Sequence, residues 1–226
     1  GKLLSPRKIM IDTRKRMYEK GLRLSADSSY SDGKSLVADY ISKEELLACT
    51  TCNACVQECP VNIDHVSLIL DMRRYLIMEE ANPPASWTSM FNNIENNGAP
   101  WQFSPSDRLN WASESEGKVS TMAELTASGE SPEILFWVGC SGSFDDRYKK
   151  VTLAFVKILS AAGIKFAVLG TEESCTGDPA KRAGNEFLFQ MQALKNIQIL
   201  NGYNIKKIVT TCPHCFNTLK NEYDGL

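Results

Sequence analysis

Ile134-Leu135-Phe136-Trp137-Val138-Gly139-Cys140 opens the stretch in which short apolar runs and helical periodicity alternate. Its first five residues form the longest uninterrupted apolar run of the chain. They are too few for a helix and are bounded by Gly139, so they read as a strand. Residues 147–162 then place Val151, Ala154, Phe155, Ile158 and Leu159 at helical spacing until Gly163. The alternation continues with a second strand over 165–169, a helix over 179–200, a third strand over 206–210 and a helix over 213–223. Strands alternating with helices specify a parallel sheet joined by right-handed crossovers. Residues 133–226 are therefore expected to form an α/β domain with a small parallel sheet covered by helices.

The N-terminal part reads differently. Ser5 and Pro6 supply a cap and first residue for an amphipathic helix carrying Ile9, Met10 and Met17, with Gly21 as its expected stop. Residues 1–23 hold eight Lys or Arg against Asp12 and Glu19. That basic face is either simply solvated or suited to an acidic partner or anionic lipid headgroups. After a Ser/Asp/Gly loop over 26–34, Ser42 and Glu45 form a capping box that opens a helix running into the first cysteines. Beyond them, residues 61–80 carry Ile63, Val66, Ile69, Leu70, Arg73 and Ile77 at helical spacing. Residues 1–81 are thus expected to form an all-α domain. Residues 82–132 read as a Pro/Trp-rich wrap and linker, whose Trp87, Phe91, Trp101 and Phe103 pack on a domain surface rather than stack on a ligand. The polar residues 113–131 within it read as flexible, with the domain boundary there.

Composition narrows the class. The chain has 226 residues, 43% hydrophobic and 23% charged, enough for a packed core. A formal charge of −2 argues against a nucleic-acid partner held by a basic field. No apolar run approaches the ~18 residues of a membrane span, and no charged-then-apolar leader is present, so a cytoplasmic location is expected. Eight cysteines in such a chain point to metal or redox chemistry.

The cysteines divide into two fours. Cys49, Cys52, Cys55 and Cys59, the last followed by Pro60, have the Cys-x-x-Cys-x-x-Cys-x-x-x-Cys-Pro spacing that wraps one loop around a [4Fe–4S] cube. A zinc site usually pairs two Cys-x-x-Cys knuckles a dozen or more residues apart. In two-cluster ferredoxins the fourth cysteine of such a run ligates the other cluster, so Cys59 either closes its own cube or serves a neighbour. The second four are Cys140, Cys175, Cys212 and Cys215, spread over 76 residues yet each placed just after an expected strand. In a parallel sheet those ends share one edge, where such folds bind ligands, so a second iron–sulfur cluster is expected there. The alternatives are buried structural cysteines and, for Cys212 and Cys215 alone, a thioredoxin-type dithiol. His65 and His214 stand near the two sets in supporting rather than ligating positions.

Cys140, Cys175-Thr176-Gly177 and Cys212-Pro213-His214-Cys215 resemble the cysteine-rich CCG domain of heterodisulfide reductase-type iron–sulfur proteins, among them iron–sulfur subunits of glycolate oxidase and anaerobic glycerol-3-phosphate dehydrogenase. The resemblance implies a helical ferredoxin-type domain followed by an α/β cysteine-rich domain. It implies a redox subunit of an oxidoreductase rather than a stand-alone enzyme. It implies a flavoprotein dehydrogenase or electron-transfer flavoprotein as donor and a quinone or membrane cytochrome as acceptor, reached peripherally at the inner face of the membrane. Thr176 stands where the family often has a second adjacent cysteine, which leaves four thiolates instead of five and favours a cube over the non-cubane cluster of a disulfide reductase. Only one ferredoxin run and one cysteine-rich domain are present, so the sequence resembles a middle segment of the longer family protein. The remaining alternatives are a disulfide reductase acting through the second cluster and a zinc-stabilised scaffold.

Overall fold

In the computed structural model, which describes residues 3–226, the Ser5 hydroxyl accepts from the Lys8 amide, and Pro6 takes a first-turn position that needs no amide. Gly1 and Lys2, counted in the basic stretch, lie outside the described residues. Helix α1 (Pro6–Ala26) does not stop at Gly21. Gly21 stands in open space, and one glycine costs a helix only about 1 kcal/mol. The end is set by Asp27, which is extended and whose amide still bonds to the Arg23 carbonyl.

The loop after α1 is folded back by Arg16, buried on that helix, which holds Asp32 at 2.6 Å and also donates to the Lys34 carbonyl. The guanidinium keeps the Asp32 carboxyl well below its ordinary range. A depressed carboxylate adds stability that is complete above its unfolded pKa near 4 and fades as pH falls toward its folded value. Asp32→Asn should therefore lower the melting temperature at pH 7 and flatten its decline below pH 4. An unchanged acid limb in the variant would contradict this pairing.

Three of the short helices that follow flank or carry the first cysteines. These are α2 (Lys43–Leu47), with the expected Ser42/Glu45 capping box, α3 (Ala54–Gln57) and α4 (His65–Arg74). Helix α4 starts later than its periodicity suggests because Asn62 is left-handed (φ 54°) and Asp64 caps the helix by accepting from Ser67. It ends in a wider π turn over Tyr75–Glu79. Ile9, Ile41, Leu46, Ile69, Met72 and Leu76 form the core of this half. The chain divides into two compact units, Gly1–Asn82 with Arg182–Gly184, and Pro83–Lys181 with Asn185–Leu226.

The second unit begins with α5 (Ala85–Asn97), a 3₁₀ stretch (Pro105–Glu114) that buries Arg108 and Trp111, and α6 (Met122–Ala127). The polar stretch expected to be flexible is thus partly ordered: Thr121 and Glu124 form a capping box, and residues 120 and 122 bond to both sides of Val168. Strand β1 (Ile134–Trp137) leads into α7 (Gly139–Phe144) and α8 (Asp146–Ala161). Strand β2 (Phe166–Ala167) precedes α9 (Asp178–Ala183) and α10 (Glu186–Gly202), two helices where the sequence suggested one. The break falls at Gly184, whose φ of 93° no helix accommodates. Strand β3 (Ile208–Thr210) and α11 (Pro213–Asn217) close the unit.

The sheet is parallel, in the order β2-β1-β3, with Leu135 opposite both Ala167 and Ile208. The most apolar run takes the centre, where a strand is covered on both faces. Alternation along the strands sends Leu135, Trp137, Ala167 and Leu169 to one face with Met122 and Leu125. It sends Phe136, Val138 and Val168 to the other with Trp111, Val156 and Leu159. The fold is therefore helix-rich around a small three-stranded parallel sheet. Among the described residues, no helix is long and apolar enough to cross a membrane.

Candidate metal centres

The C-terminal ends of β1, β2 and β3 deliver four cysteines to one place. Cys140 lies in the first turn of α7, directly after β1. Cys175 follows β2 by a short loop, and Cys212 caps α11, accepting the Cys215 amide at 3.5 Å. All four line one cavity of about 300 Å³, together with Trp137, Gly139, Thr176 and His214. Gly139 turns the chain with φ 77°, and a Cβ there would stand 3.2 Å from the Cys215 sulfur. Any larger residue would intrude between strand end and thiol.

The Cys175 loop is held from several directions. Its amide bonds to the Gly98 carbonyl at 2.7 Å, its carbonyl accepts from Asn196 of α10, and the Gly177 amide donates to its sulfur at 3.4 Å. Buried Tyr223 donates to the Thr176 carbonyl. Gly177 is left-handed (φ 86°), and a Cβ would press on Phe189 at 2.9 Å. The loop can follow this path only with glycine there.

The thiols pair electrostatically. A hydrogen bond to Cys175 draws Cys140 down to about 7, helped by the Arg108 guanidinium, while the shared proton and burial push Cys175 up. Cys212 is drawn down to about 6 by Cys215 and the amides at the start of α11, and Cys215 moves up in turn. Thiolate is the form that binds metal, and the surroundings favour it on Cys140 and Cys212 over their neighbours. His214 and Asp178, which also line the cavity, lie 3.2 Å apart.

Cys49, Cys52, Cys55 and Cys59 lie on the loop that carries α3. Left-handed Thr51 and Asn53 let the chain curl between them. Amides point at sulfur, Thr51 to Cys49 and Ile63 to Cys59, each at 3.3 Å. Arg73, buried on α4, donates to the carbonyls of Leu46 and Cys49 and so clamps the approach to the loop. Cys52 is exposed and drawn down by the Ala54 amide, whereas burial pushes Cys55 up. Cys55 and Cys59 open on an apolar groove that His65 also lines.

The strand-end place offers four thiols on one cavity, and the loop offers thiols at which the Thr51 and Ile63 amides point, donor sets of the kind an iron–sulfur group takes. Buried polar atoms are left without partners beside each: Trp137 Nε1 and Thr211 Oγ1 near the strand-end cysteines, and His65 Nδ1 near the loop. Buried donors of this kind are normally satisfied, and bridging or ligand sulfur is an acceptor that would satisfy them. Among the described residues, no three His, Cys, Asp or Glu side chains converge as the ligands of a single metal ion would. Six of the eight cysteines singled out in the sequence line the cavity or the groove, and Cys49 and Cys52 line neither. Sequence reasoning missed Trp137, Arg108 and Glu173 as parts of the site, since nothing local to them distinguishes a core aromatic or a surface charge.

Residues 134–220 match the CCG cysteine-rich domain family. The chain is 38% identical to the probable iron-sulfur-binding oxidoreductase FadF of Bacillus subtilis, over 99% of this chain and 36% of that protein. It is 42% identical to the EtfAB:quinone oxidoreductase of Syntrophomonas wolfei, over 84% of this chain and 26% of that protein. It is 26% identical to one subunit of the dihydromethanophenazine:CoB–CoM heterodisulfide reductase of Methanosarcina barkeri, over 81% of this chain and 43% of that protein. The chain therefore spans less than half the length of each of these relatives. No solved structure matches. Residues 134–220 are a CCG cysteine-rich domain, carried in a chain whose homologues are iron–sulfur oxidoreductases, a heterodisulfide reductase subunit among them.

Proposed function

We propose that the chain relays electrons as the iron–sulfur part of an oxidoreductase complex, between a flavoprotein and a quinone-type acceptor. One [4Fe–4S] cluster is held by Cys49, Cys52, Cys55 and Cys59 in a helical ferredoxin-type domain, and a second by Cys140, Cys175, Cys212 and Cys215. The observation that carries the reading is the gathering of four thiols, far apart in sequence, around one cavity at the sheet's C-terminal edge. When bound, an iron–sulfur cluster takes up and gives back single electrons at a potential set by its surroundings. The chain's own residues hold the Cys175 backbone in place through Gly98 and Asn196, turn the backbone aside at Gly139, and line the cavity with buried Trp137.

The partners follow the relatives: one is an EtfAB:quinone oxidoreductase, whose name joins a flavoprotein to a quinone. A cytoplasmic site of action, at the membrane through a partner, belongs to the same proposal. Thr176 lines the cavity where a fifth thiolate would stand, which favours relay over disulfide cleavage.

Protein reconstituted anaerobically with iron and sulfide should be brown, bind about four irons per cluster, and become EPR-active on reduction. The reduced form should be reoxidised by a water-soluble quinone. A colourless protein with stoichiometric zinc would overturn the reading, and a paramagnetic species that appears only with added thiol would move it to disulfide reduction.

A further inference from the structure

We infer that Arg108 sets the reduction potential of the group held by Cys140, Cys175, Cys212 and Cys215, acting through Cys140 as a positioning residue whose charge is aimed by Glu173. The inference rests on the iron–sulfur reading above. Arg108 comes from the 3₁₀ stretch before α6. Its side chain is 2% exposed, and that of Glu173 is 1% exposed. Charges are almost never buried so completely without a partner.

Both terminal nitrogens and one face of the guanidinium are engaged. Nη1 lies 3.2 Å from Glu173 Oε1, Nη2 donates to the Gly98 carbonyl at 2.7 Å and to Cys140 Sγ at 3.6 Å, and the group stacks over the Phe144 ring at 5.2 Å. Gly98 is also the carbonyl that anchors the Cys175 amide, so one backbone oxygen ties Arg108 to two of the four cysteines. Glu173 is fixed as firmly, its oxygens accepting from the Val138 and Gly139 amides at 2.9 and 2.8 Å. Arg108 Nε is buried without a partner, a donor left over in a packed site.

Charge beside a ligand sulfur acts on the group's one-electron equilibrium. Reduction adds one electron from an external donor and releases nothing, so the reduced form carries one more negative charge. A fixed cation in a dry site favours that form, and its attraction is screened far less than it would be in water. Glu173 works in the opposite sense, but its oxygens are engaged by Arg108 and two amides, so the guanidinium is the charge turned toward sulfur. Hydrogen bonds to cluster sulfurs and local charge are among the recognised controls of such potentials.

The test is an EPR-monitored redox titration of the reconstituted chain, reading the signal that Cys175→Ser abolishes. Arg108→Gln should weaken reduction at least tenfold, about 59 mV to the negative for one electron. Glu173→Gln should shift the potential to the positive. Arg108→Lys, which keeps the buried charge, should stay within tenfold of wild type. Potentials that coincide in all four proteins, with iron and sulfide retained, would overturn the inference and leave the electron-relay reading intact. Shifts of the same sign in Arg108→Gln and Glu173→Gln would also overturn it, since packing rather than charge would then be at work. Should Arg108→Gln fail to fold, an unmoved potential in Glu173→Gln decides against the inference. Wild-type protein without iron and sulfide on these cysteines would overturn both readings together.

Discussion

Cys175→Ser should halve the iron and acid-labile sulfide of the reconstituted protein, from about eight irons per chain to about four. Cys175 is buried, and its neighbours are arranged around its sulfur and backbone, so no other thiol can take its place. A serine hydroxyl is no substitute, because thiolate rather than a neutral oxygen is the ligand. The remaining iron should belong to the loop of Cys49, Cys52, Cys55 and Cys59, and Cys52→Ser should remove that half instead. Far-UV circular dichroism should barely change in Cys175→Ser, since the sheet is packed on both faces by apolar clusters that need no metal. An iron count that stays at the wild-type value would contradict the second cluster. Cys59→Ser adds a separate question, whether the loop closes its own cube. Loss of its half of the iron, with the strand-end cluster intact, is the outcome expected of a self-contained cube.

The contrast between the two sets of cysteines explains how much of the molecule its sequence discloses. The loop set is legible because one short segment must present all four sulfurs, and that local constraint appears as spacing. The strand-end set is legible only after Ile134 to Val138 is read as a strand, because topology then puts Cys140, Cys175 and Cys212 on one edge. What stayed hidden depends on contacts without local pattern. Arg108 lies in a polar, turn-rich stretch that reads as linker, yet it is buried against Glu173, 65 residues away. Gly21 and Gly184 look equally capable of ending a helix. The first stands in open space within α1, while the second separates α9 from α10 at φ 93°. Only the conformation each neighbourhood demands tells them apart.

The second large effect concerns folding rather than redox state. Glu173→Met should destabilise the chain by about 3–5 kcal/mol, because it leaves the Arg108 charge buried and uncompensated. It also strips the Val138 and Gly139 amides of their acceptor at the point where β1 turns into α7. Arg108→Met should cost less, since the Glu173 carboxylate would keep both amide donors. Burial already pushes that carboxyl up against the pull of Arg108, so it has a neutral form within reach once the guanidinium is gone. The double variant should be more stable than the two single losses added together, because neither buried charge is then left unpaired. Chemical denaturation of the four proteins under anaerobic conditions measures the cycle. Equal losses in the two single variants would mean that the strand-end amides contribute nothing beyond the ion pair. Additivity in the double variant would mean that Arg108 and Glu173 do not act as a unit. The expected ordering, Glu173→Met worse than Arg108→Met, with a double variant better than their sum, follows from one carboxylate serving three donors while the guanidinium keeps a carbonyl and a sulfur besides.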